Sequence, residues 1–245
     1  MVIEAAMRAR SPRLPDELAG RLREGIMTGR LRQGDHLHLE RLAEQLGVSV
    51  TPVREALLAL RGEGFVDLEP RRGFTVAPLS RQDFEDAHRL QATIAGELAA
   101  RAARQIDAER LAELGALLEE IQMASRFALL DMGEPVARFH TVICRAAESP
   151  KLAWFLGIAV RYTPRNTTAD VPGWREIAVA DHQNLLTALR HRDPAGARAA
   201  MHQHITHTGQ LLIHHLQQLG LWSEAPENPP PPGSSASHLE HGEGR

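Results

Sequence analysis

The stretch GVSVTPVREALLAL, residues 47–60, decides how the first third of the chain reads. Thr51 and Pro52 look like the start of a helix, because proline suits the first helical position, where its missing N–H costs nothing. Val53, Ala56, Leu57 and Leu60 recur at i, i+3, i+4 and i+7, one apolar stripe. Arg54 then falls in the expected first turn, at the positive end of the helix dipole, where a cation is mildly unfavourable. Glu55 offsets part of that. An arginine there, beside the hydroxyls of Ser49 and Thr51, suggests an anionic partner outside the chain. A solvated arginine and ordinary capping hydroxyls are the plain alternative, and the neighbouring elements discriminate.

Upstream, LERLAEQLG (39–47) sets Leu39, Leu42, Ala43 and Leu46 on one face and ends at Gly47. Before it, ELAGRLREGIMTGRL (17–31) repeats Leu18, Leu22 and Ile26, with Gly29 as a stop. Two short helices joined by a few residues with a glycine make a helix-turn-helix pattern. Downstream, FVDLEPRRGFTV (65–76) reads as strand, turn and strand, with Pro70-Arg71-Arg72-Gly73 as the turn. A β-ribbon with two arginines at its tip, placed after a helix-turn-helix, is a wing. In such a unit the start of the second motif helix enters the major groove, where Arg54, Ser49 and Thr51 can meet phosphates or guanine.

LERLAEQLGVSVTPVREALLALRGEGFVDLEPRRGFTV (39–76) resembles the winged helix-turn-helix of the GntR family of bacterial transcription regulators, over about residues 14 to 77. The residues that carry it are SVTPVREAL, the EGF that follows and the RRG of the wing. The resemblance implies contact with double-stranded DNA by Ser49, Thr51, Arg54, Arg71, Arg72 and Gly73. Val50 stands where many members carry arginine, which removes one contact to base or phosphate.

Composition is compatible with that partner only through a local cluster. The formal net charge of the 245 residues is −3. Residues 1–80 hold 12 arginines against 11 acids, and the remainder holds 16 basic residues against 20 acids. Neither part is a polyelectrolyte. The basic residues are 27 arginines and Lys151. No run of 18 uncharged apolar residues predicts a membrane span. The charged start, MVIEAAMRARSPRLPDEL, lacks the apolar core of a signal peptide. A lone Cys144 excludes an internal disulfide and suits a reducing compartment, so a cytoplasmic location is expected.

After the short connection APLS (77–80), Ser80-Arg81-Gln82-Asp83 signals a helix start. From there to about residue 222 the periodicity is helical throughout. The segments are EDAHRLQATIAGELAARAARQI, AERLAELGALLEEIQMA, EPVARFHTVICRAAES, LAWFLGIAVRYT, REIAVADHQNLLTALRHR and PAGARAAMHQHITHTGQLLIHHLQQL. The expected fold is mainly α: an N-terminal winged helix-turn-helix and a C-terminal all-helical bundle of six or seven helices. The expected division is a flexible 1–13, the winged domain 14–77, a linker 78–81, the bundle 82–222 and a disordered Pro/Gly/Ser-rich tail 223–245. This order resembles the FadR subfamily of GntR regulators, whose effector domain is called FCD.

Three of the 13 histidines fall on inward stripes. His140 lies with Val136, Phe139, Ile143 and Ala147; His182 with Ala178, Leu185, Leu186 and Leu189; His204 with Ala197, Met201, Thr208 and Leu211. Asp193-Pro194 reads as the cap and first position of the last helix. His182 and His204 each stand 11 residues from Asp193, so in an antiparallel pair both lie about 16 Å from the turn, at one height. Three imidazoles facing one interior make a metal site with open positions for water or an organic acid. Core histidines satisfied by hydrogen bonds are the alternative. The FCD resemblance implies a divalent metal, zinc or nickel, on an aspartate and three histidines, and His140, His182 and His204 match the histidine positions. Val136 stands where the aspartate is expected, and Asp131 and Glu134 are out of phase with it. A second departure is Gln91, where an arginine is common. Arg161 and Arg165, read as i and i+4 on one helix, either clamp a carboxylate effector or form surface salt bridges. His207 falls about 60° from His204, in reach of an outer shell.

These observations point to a dimeric, ligand-responsive regulator that binds a palindromic operator and, through its helical domain, a small organic acid. Two alternatives remain at this stage: a metal-dependent enzyme in the helical domain, although no HExxH or G-x-S-x-G motif occurs, and a direct sensor of the metal itself.

Overall fold

The computed structural model describes residues 14–70, 72–127, 132–164 and 171–222. The expectations for 1–13, Arg71, Asp131, Arg165 and 223–245 lie outside the described residues. In the winged unit the second motif helix, α3 (Val50–Gly62), begins two residues earlier than Pro52 suggests. Ser49 is extended (φ −77°, ψ 164°) and takes the N-cap position, which makes Pro52 the third helical residue. The ladder loses nothing, since N–H groups of the first turn have no intrahelical acceptor. Arg54 consequently sits in the second turn, further from the dipole's positive end. Val53, Ala56, Leu57 and Leu60 are fully buried. They pack against α1 (Leu14–Met27), whose Leu18, Leu22 and Ile26 are buried in turn. Between them α2 (Leu39–Leu46) ends at Gly47, whose φ of 68° lets its N–H reach the carbonyls of Ala43 and Glu44.

The wing is the antiparallel pair β2 (Val66–Glu69) and β3 (Gly73–Val76), with Val66 opposite Val76 and Glu69 opposite Gly73. Gly73 has a φ of 79°, which a side chain resists, and it starts β3 rather than ending the turn. The periodicity missed a strand. β1 (His36–Leu37) pairs with β3, giving the order β1-β3-β2. Two residues are too few to show alternation in sequence.

The bundle contains α4 (Arg81–Gln105), α5 (Ala108–Arg126), α6 (Gly133–Ala146), α7 (Pro150–Ala159), α8 (Trp174–Arg190) and α9 (Pro194–Gln218). Ser80 and Asp83 form the capping box at the head of α4: the Ser80 N–H donates to Asp83 Oδ2 (2.7 Å) and the Asp83 N–H to Ser80 Oγ (3.2 Å). Asp193 caps α9 by accepting from Ala195 and Gly196. The helix expected through Thr163 stops at Ala159 and continues as one 3-10 turn, Val160–Tyr162. α4 packs along α9, and α8 lies against α9 on another side. Glycines allow the first contact. A Cβ on Gly96 would stand 3.1 Å from the Arg198 carbonyl, and one on Gly209 would stand 2.8 Å from the His88 ring. The C-terminal end of the bundle returns to the junction, where the Trp222 indole donates to the Leu79 carbonyl (3.0 Å) and meets Phe84 edge-on. No helix among the described residues is long and apolar enough to cross a membrane.

Candidate functional sites: a nucleic-acid face and a histidine cluster

The opening of α3 faces outward. Ser49, Thr51 and Arg54 are all exposed. Ser49 occupies the N-cap position, yet its hydroxyl makes no capping bond, so the hydroxyl is available to an external acceptor or donor. Val50 is half-buried and packs against the core. In the wing Gly73 is exposed, and Arg72 is 72% exposed with one contact to Glu69 at 3.3 Å. An exposed pair of this kind contributes about 1 kcal/mol at most, so it holds Arg72 only weakly.

In the bundle α6, α8 and α9 each deliver one imidazole to a common point. His140, His182 and His204 offer ligand nitrogens that all lie within 4.8 Å of one another, the only such cluster among the described residues. Ring centroids are 5.2 Å apart for His140 and His182, 5.1 Å for His140 and His204, and 4.5 Å for His182 and His204. The antiparallel register around Asp193 brings the last two to one height, as their equal spacing from it requires. His182 and His204 are buried and His140 half-buried.

Tautomers follow from the bonds. His182 Nδ1–H donates to the Ala178 carbonyl (2.6 Å), so its Nε2 carries the lone pair. His140 Nε2 stands 3.2 Å from that nitrogen: with its proton on Nε2 the two rings hydrogen-bond, and with it on Nδ1 both lone pairs face one point. Behind the cluster the buried Asp181 accepts from His207 Nδ1 (3.1 Å) and stands 3.5 Å from His204 Nδ1. His204 Nδ1 and, one turn further along α9, Thr208 Oγ1 are buried without a hydrogen-bond partner. Burial, with help from His204 and His182, holds the His140 imidazole well below its ordinary range. Burial and then His204 push His182 down to about 3. For Asp181 burial works upward, but the neighbouring imidazoles of His204 and His207 outweigh it and hold the carboxyl below its usual value.

This donor set fits a divalent cation. Burial keeps the His140 and His182 rings neutral at neutral pH, as ligands must be. Two nitrogens on one ion at about 2.1 Å stand about 3.0 to 3.4 Å apart, and the His140–His182 pair is at 3.2 Å. A carboxylate behind a ligating histidine fixes its tautomer and raises its basicity. Val136 contributes no donor; it is a half-buried aliphatic packed on the core. Glu134 is exposed.

The α-helix ends at Ala159, Arg161 lies in the 3-10 turn that follows, and Arg165 lies outside the described residues. Arg161 pairs with Glu63 of the winged unit. Asp181 escaped the sequence reading. A carboxylate next to an inward histidine, three residues after the buried Ala178, was the available signal.

An exposed helix-turn-helix with a wing, attached to a helical bundle with a polar internal cluster, defines a DNA-binding protein. Family models agree. Residues 14–76 match "Bacterial regulatory proteins, gntR family" and residues 86–207 match the FCD domain. The chain is 31% identical over 186 residues to the probable D-xylose utilization operon transcriptional repressor of Paenarthrobacter nicotinovorans, covering 74% of this chain and 80% of the relative. It is 29% identical over 227 residues to the Exu regulon transcriptional regulator of Escherichia coli K12, covering 82% and 85%. The solved structure of E. coli McbR superposes with a TM-score of 0.63 at 27% identity, covering 84% of this chain and 98% of that one. The chain belongs to the GntR family, as a DNA-binding transcription regulator with an FCD domain. Its relatives are named regulators, and the metal-dependent enzyme raised by the histidines falls away.

Proposed function

We propose that this regulator couples a metal-centred ligand site in its bundle to a palindromic operator. The winged domain (14–77) presents Ser49, Thr51 and Arg54 to the major groove and the wing's Arg71, Arg72 and Gly73 to the flanking backbone; the linker (78–81) leads to the bundle (82–222). His140, His182 and His204 hold a divalent ion, zinc or nickel. When bound, that ion supplies open positions that attract a carboxylate oxygen. The chain's own contribution is orientation: Ala178 and Asp181 set which nitrogens face inward, and the unpartnered Thr208 hydroxyl offers a hydrogen bond to a small organic acid. The observation that carries this reading is the convergence of three imidazoles backed by Asp181.

The protein acts as a cytoplasmic homodimer in this reading. α4 and α7 lie antiparallel, as the bonds Gln91–Ala159 and Arg101–Ser149 show. They leave Leu90, Trp154, Phe155 and Val160 between 40% and 60% exposed. Apolar side chains exposed together mark a contact face, and two-fold pairing matches two half-sites.

The test is a gel-shift titration of the purified chain against its own promoter region, with metal content measured in parallel. A salt-sensitive, sequence-selective shift is expected, together with metal that is lost in His182→Ala. Absence of any selective shift overturns the DNA face, and equal metal in both proteins removes His182 from the site. Operator affinity that answers to metal alone would assign the metal itself as the effector.

A further inference from the structure

Glu63 follows the last residue of α3, and its side chain is only 7% exposed. It is held from both sides. Arg23 of α1 reaches Oε2 through Nε and Nη2, at 2.8 and 2.6 Å. Arg161, from the bundle, reaches Oε1. The next bundle residue adds two contacts: the Tyr162 hydroxyl donates to the Glu63 carbonyl (2.6 Å), and its ring stacks on Phe65 at 4.5 Å. Gly64 lies between them with a φ of 83°, and a Cβ there would stand 3.1 Å from the Tyr162 hydroxyl. One dipeptide of the bundle thus grips three successive residues at the base of the DNA-facing helix.

The same segment is anchored on its other side. The Gln91 amide donates to the Ala159 carbonyl (3.0 Å) and to the Thr163 hydroxyl (3.2 Å). Thr163 Oγ1 stands 3.4 Å from His88 Nε2, and His88 Nδ1 donates to the Phe84 carbonyl. The His88 ring lies on Gly209 of α9, which tolerates no Cβ there. Gly209 is five residues, or about 7.5 Å along the axis, from His204. Gln91, buried at 3% exposure, is therefore consumed in tying this segment down and is not free for an effector.

We infer that residues 159–163 form a strut through which the histidine cluster on α9 sets the orientation of the winged domain. The inference rests on the metal reading above for its ligand but not for its geometry. Coupling between two sites is a free energy carried by an element with two arrangements. This is the bundle segment whose hydrogen bonds and ring contacts reach both α4, at its contact with α9, and the end of α3.

The double variant Arg161→Gln/Tyr162→Phe cuts both polar ties and keeps the ring stack; Tyr162→Ala is a second variant that removes the stack. Spin labels at Asp67→Cys and Glu109→Cys, in a Cys144→Ala background diluted with unlabelled protein, report the distance between the two units by pulsed EPR. The wild-type arrangement gives one narrow distance and both variants a broad one; an unchanged distribution overturns the strut. In parallel, affinity for a fluorescent duplex of the promoter region is measured in buffered Zn2+ and in chelator. A zinc effect of about fivefold or more in the wild type falls to about twofold or less in the double variant, with zinc affinity unchanged. Retention of the full zinc effect by that variant overturns the coupling whatever the distances show. A wild type without any zinc effect rules out the ion alone as the effector, and the distance measurement then decides the strut alone. If Tyr162→Ala fails to fold, the double variant carries both measurements.

Discussion

Acid should weaken the metal-free fold through the histidine cluster, by an amount that follows from burial. His182 is fully buried and its imidazole is pushed down to about 3 in the folded chain, against about 6.5 when unfolded. The folded-state value is the depressed one, so the unfolded chain binds the extra proton at acid pH. Stability attached to this group is complete above 6.5 and is lost as pH falls from 6.5 towards 3. The slope in that window is about 1.4 kcal/mol per pH unit, or about 2 kcal/mol between pH 7.5 and 5. His140 is depressed in the same direction and adds to the loss. The assay is urea unfolding at pH 7.5, 6.5, 5.5 and 5.0 in the presence of a chelator, for the wild type and for His182→Gln. The variant has a different absolute stability, but its slope should be shallower by about one proton, or about 1.4 kcal/mol per pH unit. Equal slopes in the two proteins would refute the assignment of His182 as a buried neutral base.

Five further outcomes are expected. Arg54→Ala should weaken operator binding by about 1–3 kcal/mol, while Arg72→Ala should lower the salt slope by about one phosphate contact, both read by fluorescence anisotropy across a salt series. Asp181→Asn should loosen metal about 10- to 100-fold while leaving three histidines in place, as outer-shell losses do; calorimetric titration with zinc measures it. Val136→Asp puts a carboxylate one turn before His140 and should tighten the same titration. Trp154→Arg on the exposed face of α7 should convert the dimer to monomer in analytical ultracentrifugation and leave the thermal midpoint within a few degrees.

Much of the winged unit was legible because its signals are local. The stripe Val53, Ala56, Leu57 and Leu60 and the cap at Gly47 depend on residues a turn or two apart. Ser80 and Asp83 announced their capping box for the same reason. Errors arose where a boundary depends on one residue's backbone. Ser49 is extended and starts α3 earlier than Pro52 implies, and β1 exists only because β3 lies beside it. The end of α7 was illegible: its apolar residues continue to Val160, and the break comes where Tyr162 and Arg161 turn away to Glu63 and Phe65.

The periodicity of 3.6 by itself determined that His140, His182 and His204 face inward, and the equal spacing around Asp193 determined that two of them share a height. Those are properties of single helices and one turn. Whether the third ring joins them depends on how α6 packs beside α8 and α9, and that is a tertiary fact. The same holds for Asp181, whose charge is tolerated only because His204 and His207 converge on it. It holds also for Arg161, whose partner is 98 residues away. Contacts of that range are decided by which faces the assembled core leaves open, and no local pattern encodes them.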